Sequence, residues 1–106
     1  MPKYLIQARY TNQGIQGLLK DSASGRRADV QAAVKALGGS VEAFYYAFGE
    51  DDAITIIDLP NSTKAAALSL TVSGAGAVRI RTTPLLTVEE IDQALEIHTE
   101  YRSPGE

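Results

Sequence analysis

The chain has 106 residues, ten Lys plus Arg, thirteen Asp plus Glu and one His, for a formal net charge of −3. That length fits one domain, and the charge argues against general affinity for phosphate backbones. The absence of Cys excludes disulfides, thiolate metal sites and thiol nucleophiles. Gln7 and Arg9 interrupt the apolar start of the chain, so it does not read as a signal peptide. The longest uncharged run, 65–78, falls short of the roughly 20 residues that a bilayer demands. A cytoplasmic protein with neither nucleic acid nor membrane as partner is expected.

Residues 3–10 read as a strand rich in β-formers. After turn and cap chemistry at Thr11–Gly14, Ile15, Leu18 and Leu19 lie on one helical face, and Ser22–Gly25 interrupts it. Val30, Ala33, Val34 and Leu37 resume the helical period, which Gly38-Gly39 ends. Residues 41–48 and 52–59 then predict a hairpin around the acidic turn Gly49-Glu50-Asp51. Pro60 stops the second strand, and Asn61 or Ser62 caps an Ala-rich helix over roughly 62–73. A strand over 77–83 precedes Pro84. Thr87 and Glu90 form a capping box for a last helix with Val88, Ile91, Leu95 and His98 on one stripe.

The order β-α-β-β-α-β plus a terminal helix predicts an α+β, ferredoxin-like βαββαβ protomer with a four-stranded antiparallel sheet. Residues 1–106 form one domain, with 98–106 a tail. Both main helices fall on one face of the sheet, yet the strands are apolar on both. Phe44, Tyr46 and Phe48 share one parity, and Val41, Ala43 and Tyr45 the other. Ile54 and Ile56 likewise oppose Ile57 and Leu59. Monomers rarely expose such a face. Two sheets closing face to face in a homodimer would cover it, and so would the terminal helix of a monomer.

Arg79 and Arg81 share a face of the last strand, which in this topology neighbours the first strand and its Gln7 and Arg9. Pointing away from the helices, they would line a barrel interior with Glu42, Tyr46, Asp52 and Asp58, an arrangement that orients a small anionic or aromatic ligand. The plainer alternative is a set of rim ion pairs. A three-residue hairpin loop places Phe44 and Tyr46 with Ile54 and Ile56, and a two-residue loop shifts the pairing by one. Glu50, Asp51 and Asp52 suit a cation or ammonium group, although Asp is common in turns. His98 titrates nearest neutrality and is the natural general base, against a packing role on its stripe. The ligand-binding candidates are therefore Arg9, Tyr46, Asp52, Arg79, Arg81 and His98. No metal or other cofactor is expected, since a lone His without Cys makes a poor zinc site.

Several segments, in order, resemble the GYD domain proteins. These are Thr11-Asn12-Gln13-Gly14-Ile15, Lys20-Asp21-Ser22, an Arg at 26 or 27, Gly38-Gly39, Phe44-Tyr45, Phe48 to Asp52, Pro60-Asn61, the Ala65–Leu68 helix and Gly76-Ala77-Val78-Arg79. The resemblance covers residues 3–95 and implies a dimeric α/β barrel among small, largely uncharacterised bacterial and archaeal proteins. It supplies no activity. The name-giving Gly-x-Tyr-Asp here reads Gly49-Glu50-Asp51-Asp52, with Asp51 in place of the Tyr. The same turn is similar to the effector-binding domain of leucine-responsive regulators, which implies an amino-acid ligand near subunit contacts.

The expected function is a homodimeric small-molecule binding or sensor module, for which a small anionic, aromatic or amino-acid ligand is the partner besides a second copy. A cofactor-independent monooxygenase or isomerase-like enzyme, with its site inside the barrel, is one alternative. A purely structural oligomer is the other.

Overall fold

The computed structural model describes the whole chain, Met1–Glu106. Strand β1, Lys3–Tyr10, alternates strictly: Tyr4, Ile6 and Ala8 are buried, while Leu5, Gln7 and Arg9 face the other way. Thr11 then caps helix α1, Asn12–Asp21, by accepting the Gly14 N–H on its hydroxyl. Helix α2, Ala23–Ala36, follows after one residue. That residue, Ser22, has φ 75° and ψ 162°, ends α1 through its N–H and caps α2 through its hydroxyl. Gly38 leaves α2 at φ 85°, where a side chain would be strained.

Strand β2, Ser40–Tyr46, and strand β3, Ala53–Asp58, form the hairpin. Asn61 caps helix α3, Ser62–Gly74, whose Ser69 hydroxyl meets that of Thr82 at 2.7 Å on strand β4, Val78–Leu85. Pro84 lies within β4 rather than ending it. It is tolerated because β4 is an edge strand. Helix α4, Val88–Glu96, opens with the expected capping box, Thr87 and Glu90 bonding each other's backbone N–H groups.

The sheet is antiparallel throughout, in the order β2-β3-β1-β4, in an α+β protein with four helices. Tyr4, Ile6, Val34, Ile57, Leu59 and Ala65 form the main core between sheet and helices. The simple alternation expected for β2 does not hold. A bulge between Val41 and Ala43 turns Val41 toward the core, so that it pairs with Ile57 while Phe44 and Tyr46 pair with Thr55 and Ala53. That pairing is the one-residue shift expected of the two-residue loop and not the register of the three-residue one, although the hairpin is wider at its tip. Its strands separate after Tyr46, and only the Ala47–Asp52 backbone bond continues the pairing. Phe48 is wholly exposed at the tip.

The sheet's second face has no helix on it. Leu5, Ile54 and Ile56 are half-buried there, and Tyr45 is 70% exposed. The terminal helix does not roof it. Every residue of α4 is exposed, including Val88, Ile91 and Leu95, and the helix ends before His98. The radius of gyration is 16.9 Å, against about 13 Å for a compact chain of this length. No helix is long and apolar enough to cross a membrane.

Candidate functional site

β1 and β4 lie side by side with Gln7 opposite Arg81 and Arg9 opposite Arg79. Because the even-numbered β1 residues point into the core, these four polar side chains all stand on the open face. Two guanidinium groups directly across a strand pair repel each other. Neither Arg9 nor Arg79 has a carboxylate within ion-pair distance.

The β2–β3 loop folds over this end of the sheet. The Asp52 N–H donates to the Ala8 carbonyl at 2.8 Å, and the Asp52 carboxylate accepts the Tyr10 N–H at 2.8 Å. So anchored, the loop presents Asp51 to the strands. Asp51 Oδ2 accepts from Arg81 Nη2 at 2.9 Å and Gln7 Nε2 at 3.1 Å. Asp51 is only 7% exposed, and its Oδ1 is buried without a hydrogen-bond partner. Gln7, Arg9, Glu50, Asp51, Arg79 and Arg81 line a cavity of about 200 Å³. Three arginines against two carboxylates leave a positive surplus, and the planar guanidinium forks suit carboxylate or phosphate oxygens.

Of the residues singled out in the sequence, Arg9, Arg79 and Arg81 come together here. The others do not. Asp52 is taken up by the Tyr10 N–H and holds the loop. Tyr46 faces the helices, where its hydroxyl donates to the Ala23 carbonyl at 3.3 Å and its ring meets Phe44 edge-on. Burial, reinforced by the neighbouring Tyr10 hydroxyl, pushes the Tyr46 phenol up to about 12. Glu42 and Asp58 gather at the opposite end of the open face, where Lys3 Nζ donates to Asp58 at 3.0 Å and to Glu42 at 3.1 Å. Those hydrogen bonds, that to Asp58 first, raise the Lys3 ammonium above its ordinary range. His98 lies beyond α4, exposed and outside the cavity.

Asp51 is the residue whose weight the sequence understates. An acidic turn ordinarily points to water, and only Gln7 and Arg81, distant in the chain, draw this carboxylate inward.

Fold and cavity together define a small α+β protein with an arginine-lined pocket on the uncovered face of its sheet. The chain belongs to the GYD domain family, whose model matches residues 4–95, from β1 into α4. No curated protein and no solved structure matches it. Asp51, the departure from the Gly-x-Tyr-Asp pattern, is thus the carboxylate that holds Arg81.

Proposed function

We propose that the protein is a homodimeric binding module for a small anionic molecule, with a ferredoxin-like protomer. Two copies close sheet face to sheet face as a dimeric α/β barrel. The strand order β2-β3-β1-β4, with the crossover helices on one side, supports the protomer reading. The uncovered Leu5, Ile54, Ile56 and Tyr45 support the pairing, since an apolar face of this kind favours a partner over water.

One observation carries the ligand class. Arg9 stands opposite Arg79, both without an ion-pair partner, beside a buried Asp51 that neutralises only Arg81. An anion between the two free guanidinium groups relieves their repulsion. The carboxylate of an aromatic acid or an amino acid has the right charge and size. Binding is favoured over catalysis by the donor set: arginines and an amide orient charge, and the chain's one His, His98, is outside the pocket.

Light scattering at micromolar concentration tests the assembly, with twice the chain mass expected; a stable monomer overturns it. Calorimetric titration with dicarboxylates, amino acids and phosphate tests the ligand class. Saturable binding is expected in the wild type and a loss of tenfold or more in the Arg9→Ala, Arg79→Ala double variant. Equal affinity in the two proteins removes the pocket from the reading.

A further inference from the structure

On the helix side of the sheet, α2 packs over β2 and α3 over β4. Val34 and Ala65 cover the middle strands β1 and β3 at Tyr4, Ile6 and Ile57, whereas the cluster at Ala8, Ala53 and Val78 includes no fully buried helix residue. A cavity of about 150 Å³ opens there, lined almost wholly by apolar side chains. Ala8 and Ala53 are the small residues of a floor that Ile6, Thr55, Ile57 and Ile80 otherwise fill. Ala33 of α2 and Leu68 and Val72 of α3 form its walls. Thr55, 5% exposed, adds a hydroxyl to the floor that none of the protein's side-chain hydrogen bonds uses.

Protein interiors are ordinarily close-packed, and an unfilled apolar hole forfeits the dispersion contacts of its lining. An apolar cavity of this volume is large enough for a benzene ring. The rim is different in character. Arg26 and Tyr10 line the opening, Arg26 is held by Asp29 at 3.2 Å, and the charges of both Arg26 and Arg27 act on Tyr46 nearby. Asp29 takes only Nη1 of Arg26, and no other side-chain hydrogen bond occupies that guanidinium's remaining N–H groups.

We propose that this cleft between α2 and α3 is a second ligand site, taking a small aromatic carboxylate ring-first, with the carboxylate at Arg26. The apolar walls take the ring, the Thr55 hydroxyl meets a polar substituent at its far end, and Arg26 selects the acid. The site lies on the sheet face opposite Arg9 and Arg79, so it stands whether or not that pocket binds an anion.

Titration of the full chain with 4-hydroxybenzoate, followed by methyl and amide chemical shifts, tests the proposal without a variant. Saturable shifts centred on Ala8, Ala53, Leu68 and Val72 are expected. Ala33→Leu, a substitution that a helix accepts readily, should plug the cleft, raise the melting temperature of the free protein and weaken binding tenfold or more. Arg26→Gln should weaken 4-hydroxybenzoate roughly tenfold and leave binding of toluene unchanged. In the Arg9→Ala, Arg79→Ala double variant the shifts at Leu68 and Val72, on the other side of the sheet, should persist with the same half-saturation. No shifts at Leu68 and Val72 at millimolar ligand overturn the proposal, whatever the arginines of β4 report. Toluene binding as tightly as the acid, or undiminished binding to Ala33→Leu, also overturns it.

Discussion

Arg81 reaches down from the surface to Asp51, 2.9 Å away, with 62% of the arginine side chain in solvent and only 9% of the carboxylate. The two partners are therefore unequal in what their loss leaves behind. Asp51→Ala frees Arg81 into water and costs about 1 kcal/mol, the net worth of its hydrogen bonds. Arg81→Ala strands a buried carboxylate on Gln7 alone and costs about 2–3 kcal/mol. Urea denaturation of the two variants measures the difference, and equal destabilisation contradicts the arrangement.

Tyr46 ties stability to alkaline pH. Its phenol is pushed from 10.0 up to about 12 in the folded protein, so folding favours the protonated form. That contribution is complete below pH 10 and is lost progressively as pH rises from 10 through 12. One of the five tyrosines should accordingly ionise late in an ultraviolet absorbance titration, and Tyr46→Phe should remove that late step. Early, uniform ionisation of all five contradicts it.

Ser22 holds a backbone conformation that side chains rarely adopt, with φ 75° and ψ 162°. Such a conformation costs about 1–3 kcal/mol, whereas replacing a Ser cap by Gly costs only a few tenths. Ser22→Gly should therefore stabilise the protein by about 1 kcal/mol, while Ser22→Ala loses the Gly25 cap and keeps the strain. Thermal melts that rank Ala above Gly reverse the argument.

Gly14 sits where α1 meets the start of β4, and a Cβ there would collide with the Ala77 carbonyl. The backbone cannot retreat, because the Thr11 N–H and hydroxyl both donate to that same carbonyl, at 3.0 and 3.1 Å. Gly14→Ala should cost at least about 1–3 kcal/mol by overpacking, although Ala is the better helix former. Gly17→Ala, with open space around it, should be neutral or stabilising, which makes it the control in the same melts.

Element order was legible because the period changes between strands and helices and because Gly38, Pro60 and Thr87 punctuate it. The arginine row was legible too. β1 and β4 contain no bulge, so residue parity alone places Arg9, Arg79 and Arg81 on one face. β2 defeated the same logic, since an extra residue at the Val41–Ala43 bulge reverses the parity of everything before it. The burial of Asp51 and the cleft under α2 and α3 arise from groups far apart in the chain, which local periodicity does not encode.

Leu86, Val88, Ile91, Leu95 and Ile97 stand clear of the body, giving a particle of 57 × 33 × 23 Å. A rod-like outline meets more drag than a sphere of equal mass. The free chain should therefore sediment slowly for its weight, and its far end should be the first place a protease cuts. Whatever surface receives those leucines and isoleucines shortens the rod, and the change in friction reports their seating.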